Sequence, residues 1–150
     1  MAANAQLTGP AVGMEDDMEQ SNEGGVRVER KVGRAEQANQ FLMSVASCGR
    51  KFFAHNGRVS RFEVDARGRV WFVDAYKERR IYTHYEGDWR GFSEGGTLRS
   101  LVCNLRDFIR TGEPKPLHLG PWPDWICSGD LWGYGHDMET VRASAKACGL

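Results

Sequence analysis

Arginine residues are interleaved with aromatic residues in the stretch "KERRIYTHY" and in the two preceding predicted strands, which contain Arg61 and Trp71. This composition is typical of surfaces that hold phosphates and stack bases, because a guanidinium forms two parallel hydrogen bonds to a phosphate and an aromatic ring offers a flat face to a base. The candidate residues are Arg61, Trp71, Arg79, Arg80 and Tyr82. The full ribonucleoprotein motif of an RNA-recognition sheet is not present, so the prediction depends on composition alone.

The same basic residues also have a structural interpretation. The segment Arg79–Tyr85 is rich in tyrosine, threonine and isoleucine, which predicts a strand at or near the edge of a sheet. Charged side chains on an edge strand discourage pairing with another chain, and Lys77, Arg79 and Arg80 suit that purpose. Edge protection and ligand contact are both open interpretations of this cluster.

A second set of arginines is predicted to share one side of a helix. In "TLRSLVCNLRDFIRTG", the spacing places Arg99, Cys103, Arg106 and Arg110 along one stripe. The stripe is either a solvated helix face or a contact for an acidic or phosphate-bearing partner. The sequence places no histidine or aspartate beside Cys103 as a base, so we do not predict a thiol nucleophile.

Three tryptophans and a tyrosine fall in a segment that glycine and proline keep out of helices and central strands. The segment is "GEPKPLHLGPWPDWICSGDLWGYG", and its candidate residues are Trp122, Trp125, Trp132 and Tyr134. A connection this long inside a compact domain is usually functional or packed by its own side chains. We therefore expect either a loop that covers the second face of the sheet or an aromatic platform for a partner, and one loop can do both.

The sequence contains no recognisable catalytic motif. Its histidines, aspartates and glycines form none of the patterns HExxH, GxSxG or a nucleotide-binding loop. The four cysteines, Cys48, Cys103, Cys127 and Cys148, lack the CxxC spacing of a metal site, which favours free thiols. We expect a protein with no catalytic residues, no cofactor and no bound metal.

Composition narrows the classes of partner. The 150 residues include 20 basic and 20 acidic side chains, so no overall field attracts the chain to nucleic acid or to an anionic membrane, although a local basic face is compatible with this balance. No apolar run has the length of a membrane helix, and no signal-peptide pattern begins the chain. We expect a cytoplasmic protein without a membrane partner.

The chain is predicted to divide near residue 35. Residues 1–34 have no aromatic residue and no sustained periodicity, so they cannot bury enough apolar surface to offset the entropy of ordering them, and we predict a disordered N-terminal arm. Residues 35–150 predict a single α+β domain. Its first element is an amphipathic helix from Ala35 to Cys48, because apolar residues recur there on one helix face.

Turn residues predict the middle of the domain. Asn56-Gly57 is typical of a two-residue hairpin turn, and "DARG" is typical of a turn closed by glycine, so residues 51–85 predict a four-stranded antiparallel meander. In the register that these turns set, Phe62 lies opposite Phe72 on the core face, and Arg61 and Trp71 lie on a mixed outer face.

Two further helices complete the predicted fold. Thr97 is predicted to cap the first of them and Gly112 to end it. The second is predicted from His136 to Cys148, and the long tryptophan-rich loop joins the two. The expected architecture is therefore an N-terminal helix, a four-stranded meander and two C-terminal helices.

Three stretches of the sequence resemble small accessory proteins encoded by bacteriophages and prophages of proteobacteria, over about residues 40–148. The stretches are "FFAHNGRVSRFEVDARGRVWFVDAYKERRIYTHY", "RGFSEGGTLRSLVCNLRDFIRTG" and "GPWPDWICSGDLWGYG". Such proteins often bind and block a host component, including CRISPR or restriction machinery.

The resemblance implies a non-catalytic protein-binding module of phage origin in the host bacterial cytoplasm. Such a module would inhibit or redirect a host protein or ribonucleoprotein complex, for example as an anti-CRISPR or other anti-defence protein. The alternative is a nucleic-acid-binding protein that uses the arginine and aromatic face of its sheet, and this alternative predicts steep salt dependence of binding.

Overall fold

A computed structural model describes the backbone of residues 2–48, 50–84, 89–94, 96–113 and 137–148. It describes side chains within 23–48, 50–84, 89–94, 98–113 and 139–148. The fold is α+β, as predicted, with a helix at the N-terminus, antiparallel strands and two C-terminal helices. The strands form two small sheets. No helix in the described ranges combines the length and the apolar character needed to cross a membrane.

Helix α1 (Ala2–Ser47) begins far upstream of the predicted start at Ala35. The predicted apolar stripe is buried, with Phe41, Leu42 and Val45 fully enclosed. The same side of the helix continues upstream, where Lys31 donates a hydrogen bond to the carbonyl oxygen of Gly68 and Arg34 donates one to that of Ile109. The N-terminal arm of residues 1–34 stays a prediction, but the packed part of the helix starts before Ala35.

A short hairpin follows, made of β1 (Ala54–His55) and β2 (Arg58–Val59). Its turn residues both have positive φ, 49° at Asn56 and 74° at Gly57, as a two-residue hairpin turn requires. His55 pairs with Arg58, which confirms the predicted register.

The main sheet has three antiparallel strands in the order β3 (Arg61–Val64), β4 (Val70–Asp74) and β5 (Arg79–Tyr82). Phe62 pairs with Phe72, which confirms the register predicted from the glycine-closed turn. Their rings meet edge to face, with centroids 5.3 Å apart, and both are buried in the core. Strand β5 lies at the edge of this sheet, as predicted.

The predicted continuous meander is interrupted at Ser60, which separates β2 from β3. The backbone N–H of Ser60 still bonds to the carbonyl oxygen of Phe53, 2.8 Å away, and so belongs to the first hairpin. Its buried hydroxyl oxygen accepts a hydrogen bond from the N–H of Ala75, on the side of the second sheet. Ser60 is therefore the point where the chain changes partners, and one predicted strand becomes two.

The outer edge of β3 is joined to helix α1 by a side-chain amide. Asn39 Oδ1 accepts a 2.7 Å hydrogen bond from the N–H of Phe62, and Asn39 Nδ2 donates a 3.0 Å bond to the carbonyl oxygen of the same residue. The amide thus makes both bonds that a neighbouring strand would make at this position.

Helix α2 (Gly96–Thr111) starts one residue before the predicted cap Thr97 and ends where predicted, at Gly112. Gly112 has a φ of 76°, and its N–H bonds to the carbonyl oxygen of Phe108 at 2.8 Å. Helix α3 (Asp137–Ala147) follows, and its residues Val141 and Ala145 are fully buried in the core, as predicted.

Candidate functional site

The outer face of the three-stranded sheet carries a ladder of aromatic rings. Trp71 and Tyr82 are paired across β4 and β5, with ring centroids 4.9 Å apart and planes inclined by 31°. Tyr82 in turn stacks on His84, with centroids 5.6 Å apart and planes inclined by 15°. Because alternate residues of a strand share a face, the two-residue spacing and the cross-strand register align these rings. We call Trp71, Tyr82 and His84 the aromatic ladder.

Two guanidinium groups lie over the ladder. The central carbon of Arg80 is 4.2 Å from the centroid of the Trp71 ring, and that of Arg69 is 5.6 Å from Trp71 and 6.0 Å from Tyr82. All three distances are within the range of cation–π attraction. About half of the Arg80 side chain is still exposed to solvent. The outer face therefore presents flat cations together with flat rings.

Two carboxylates hold these arginines in place. Glu63 pairs with Arg61 at 3.1 Å and with Arg80 at 3.5 Å. Asp65 accepts bonds from Arg69 Nε at 2.6 Å and Trp71 Nε1 at 3.0 Å. Partial burial acts to raise the pKa of Asp65, but the hydrogen bonds from Trp71 and from Arg69 and Arg67 outweigh it and hold that pKa well below its ordinary value. Asp65 is therefore ionised at neutral pH, where it orients both residues.

A cleft of about 230 Å³ adjoins the ladder where β5 ends. Tyr82 and His84 form part of its wall, so the ladder leads into it. Four cationic side chains also line it, from three different elements: Lys31 of α1, Arg67 and Arg69 of the β3–β4 turn, and Arg110 of the last turn of α2. We call this the basic cleft.

The structure brings part of the predicted arginine set to this surface and separates the rest. Arg61, Arg80 and Arg110 lie on the outer face or in the basic cleft. Arg79 shares the opposite face of β5 with the buried Ile81, and its stem lies so close to Gly91 that an added Cβ there would be 2.5 Å from the Arg79 Cδ. Neighbouring arginines thus point to opposite sides of the sheet.

The three arginines predicted to share one stripe of α2 do not form one contact surface, because their side chains have different surroundings. Arg106 is only 2% exposed, and its Nη1 donates a 2.8 Å hydrogen bond to the carbonyl oxygen of Thr83. Arg99 lies 5.1 Å above the ring of the buried Trp89. Arg110 alone of the three faces the basic cleft. Arg106 is therefore a structural residue, because its side chain is buried against the backbone that follows β5.

The predicted aromatic platform, Trp122, Trp125, Trp132 and Tyr134, lies outside the described residues. Sequence reasoning missed three cleft residues: Arg69, Arg67 and Lys31. Arg69 was detectable, because it precedes Trp71 by two positions and so shares its face. Lys31 was not, since only tertiary packing brings it to Gly68.

A second cavity, of about 180 Å³, lies at the opposite end of β4 from the basic cleft and includes His55, Tyr76, Ser93 and Glu94 in its wall. Glu94 Oε1 accepts a 3.2 Å bond from the N–H of Phe53, a residue with a φ of 65°. Burial raises the pKa of Glu94 above its ordinary value of 4.5, the bond from Phe53 opposes this, and the nearby charge of Asp74 adds to the rise.

The hydrogen bonds around the second cavity stabilise the fold. The carboxylate of the buried Asp74 accepts bonds from the N–H groups of Tyr76 and Ser93 and from the Ser93 hydroxyl, and so joins the β4–β5 turn to the loop before α2. Within the described ranges, no cluster of three or more histidine, cysteine, aspartate or glutamate side chains is arranged to hold a metal ion. Among the cysteines there, Cys48, Cys103 and Cys148 are free thiols.

The model of a family described as YoqU matches residues 28–150, which include every element from the packed part of α1 to α3. No curated protein and no solved structure matches the chain. The first matched residue, Val28, lies one helical turn before Lys31, so the matched region includes both the aromatic ladder and the basic cleft.

Proposed function

This chain belongs to the YoqU family, and we propose that it is a phage-type protein that binds single-stranded nucleic acid on the outer face of its sheet. The observation that carries the proposal is the aromatic ladder with Arg80 and Arg69 stacked over it. Rings and guanidinium planes both stack on unpaired bases, and they do so with little dependence on sequence.

The distribution of charge supports the same ligand. The outer face and the basic cleft together hold six cations, Arg61, Arg69, Arg80, Lys31, Arg67 and Arg110, against two carboxylates, Glu63 and Asp65. A chain with no net charge thus concentrates an excess of four positive charges around its only stacked ladder in the described residues. Such a local field attracts a phosphate backbone and raises its rate of association.

The relative placement of cations and rings suits a single strand better than a duplex. In a duplex the base faces are covered by their neighbours, so only phosphates and groove edges are accessible. Here the cations border a row of stacked rings, and a single strand presents both its phosphates and its base faces to such a surface.

Arg79 and Arg80 provide a matched test, because they are adjacent and lie on opposite faces. Arg80→Gln should weaken binding of a fluorescently labelled oligothymidylate about tenfold, since a charge-assisted contact contributes roughly 1.5–3 kcal/mol. Arg79→Gln removes the same charge away from the ladder and should leave the affinity within about twofold of the wild type. Fluorescence anisotropy measures both. Equal affinities for all three proteins, or no binding by the wild type, would contradict the proposal.

The phage origin is supported by the family name, which is of the type given to prophage genes. The predicted inhibition of a host complex, including an anti-CRISPR role, stays a prediction, because its main candidate residues, Trp122, Trp125 and Trp132, lie outside the described ranges. Nuclease treatment before affinity capture from a bacterial lysate separates the two functions. A stoichiometric host complex that survives the nuclease would favour inhibition over nucleic-acid binding.

A further inference from the structure

Three of the four cations around the basic cleft have no carboxylate partner among the residues that the structure describes. Lys31 Nζ uses one of its three N–H donors on the carbonyl oxygen of Gly68. Arg67 and Arg110 are exposed at the surface and make no ion pair in those ranges. Arg69 alone is paired, with Asp65 at 2.6 Å. The cleft therefore has unneutralised positive charge on three sides.

This arrangement is costly for the protein alone, because like charges gathered around one cleft repel one another. The three cations come from separate elements, so helix geometry does not bring them together. Lys31 is also fixed by its 3.0 Å bond to Gly68, at the turn that carries Arg67 and Arg69. An anion in the cleft would neutralise the repulsion and would meet donors that are already close to it.

We infer that the basic cleft binds the terminal phosphate of a nucleic-acid strand whose adjoining nucleotide lies against Tyr82 and His84. This inference rests on the proposed function for the identity of its ligand. A terminal phosphate carries about −1.5 to −2 charges near neutral pH, whereas a phosphate inside the strand carries one, and three unpaired cations match the higher charge. Tyr82 and His84 both form the ladder and line the cleft, so phosphate and base are bound side by side.

The size of the cleft agrees with a terminal group. Its volume of about 230 Å³ is below the range of pockets that enclose whole small molecules, roughly 300–1,000 Å³. The phosphate would thus lie inside the cleft, while the sugar and base extend along the ladder. The remaining nucleotides would follow the ladder toward Trp71 and Arg80.

The test compares three octathymidylates that differ only at their ends: one with hydroxyls at both ends, one with a 5′-phosphate and one with a 3′-phosphate. Each carries a fluorophore on an internal base, and affinity is measured by anisotropy. One phosphorylated strand should bind about tenfold more tightly than the hydroxyl-ended strand, the effect of one or more charge-assisted contacts. Arg110→Gln and Arg67→Gln should each remove most of that gain.

Arg50→Gln is the matched control, because Arg50 is exposed and follows the far end of α1, about sixteen helical residues or roughly 24 Å beyond Lys31. This variant should keep the full gain. Equal affinity for the three strands would overturn the inference, and so would a gain that survives both cleft substitutions.

The two proposals fail in different ways. If the hydroxyl-ended strand binds and phosphorylation adds nothing, the terminal-phosphate site is wrong and the proposed function stands. If no strand binds, inorganic phosphate becomes the probe, and the amide NMR signals of Gly68 and His84 report on the cleft. Shifts that saturate, and that Arg110→Gln abolishes, would support a phosphate site without nucleic-acid binding. Unchanged signals would overturn the phosphate site as well as the proposed function, which the absence of strand binding already contradicts.

Discussion

Arg106 on helix α2 donates a 2.8 Å hydrogen bond from Nη1 to the carbonyl oxygen of Thr83, the residue that follows strand β5. The same guanidinium is within 3.0 Å of the carboxylate of Asp107, and Arg106 is almost completely buried. Thr83 separates Tyr82 from His84, so the bond fixes the backbone between two rings of the aromatic ladder. A charged side chain of the core thereby positions a part of the surface.

Substitution of Arg106 should destabilise the whole domain. Arg106→Gln leaves the carbonyl oxygen of Thr83 and part of a buried site without their partner, which should lower the free energy of unfolding by about 2–4 kcal/mol. Urea denaturation followed by circular dichroism measures the change. Arg110→Gln, one turn later and exposed, should stay within roughly 0.5 kcal/mol of the wild type. Similar losses of unfolding free energy for the two variants would show that the buried contacts of Arg106 do not stabilise the domain.

The amide of Asn39 should contribute to stability through both of its bonds to Phe62. Asn39→Leu keeps the branched shape of the side chain but leaves the N–H and C=O of Phe62 without partners, so we expect a loss of about 2–4 kcal/mol in the free energy of unfolding. Gln37→Leu places the same apolar side chain on an exposed position of the same helix and should change stability by less than roughly 0.5 kcal/mol. Thermal or urea unfolding distinguishes them, and equal stability of the two variants would refute the role of the amide.

Glu94 should make the stability depend on pH in a defined direction. Its pKa is higher in the folded protein than its ordinary value of 4.5, so the folded state binds the proton more tightly and unfolding releases it. The free energy of unfolding from this group therefore falls as pH rises from about 4.5 through the folded pKa. In the Glu94→Gln variant this fall is absent, because the amide does not titrate and its oxygen can still accept the bond from Phe53.

The measurement for Glu94 is the difference in unfolding free energy between Glu94→Gln and the wild type at several pH values. The difference cancels the titration of every other group, including Asp65, whose pKa is lowered and whose effect has the opposite sign. We expect the variant to gain stability relative to the wild type as pH rises. A difference that is constant, or that moves the other way, would exclude this assignment.

Binding of a single strand should weaken steeply as salt is added. If the four excess positive charges of the outer face and basic cleft each neutralise a phosphate, the logarithm of the association constant should fall with the logarithm of salt concentration at a slope of about −3. Arg80→Gln should make this slope shallower by roughly 0.7, while Arg79→Gln should leave it unchanged. Anisotropy titrations at four salt concentrations test this. A slope near zero would mean that phosphates are not the ligand.

Short-range signals predicted much of the fold. The pairing of Phe62 with Phe72 follows from one turn, because a turn of known length sets the register of its two strands. That register also predicts Trp71 and Arg61 on the outer face, where the structure has them. The end of α2 at Gly112 depends on a backbone conformation that glycine adopts readily, so it too was visible in the sequence.

Contacts between distant elements were not predictable. Helical periodicity placed Arg106 and Arg110 on one stripe, but it cannot specify which residue of a stripe meets a neighbouring strand. The break at Ser60 depends on its hydroxyl accepting a bond from Ala75, fifteen residues later. The basic cleft likewise exists only because α1 brings Lys31 to a turn 37 residues further on. These features required tertiary structure because no local pattern specifies them.

The amide of Asn39 also limits the edge at which another strand can join the sheet. With the main-chain groups of Phe62 already engaged, an additional strand cannot add at that position of β3 without displacing the side chain. Extension of this sheet is therefore confined to the side of β5, which pairs with β4 alone in the described sheet. A segment that docked there would run beside Arg80 and Tyr82, so recruitment of a peptide by strand addition would compete with whatever ligand those residues hold.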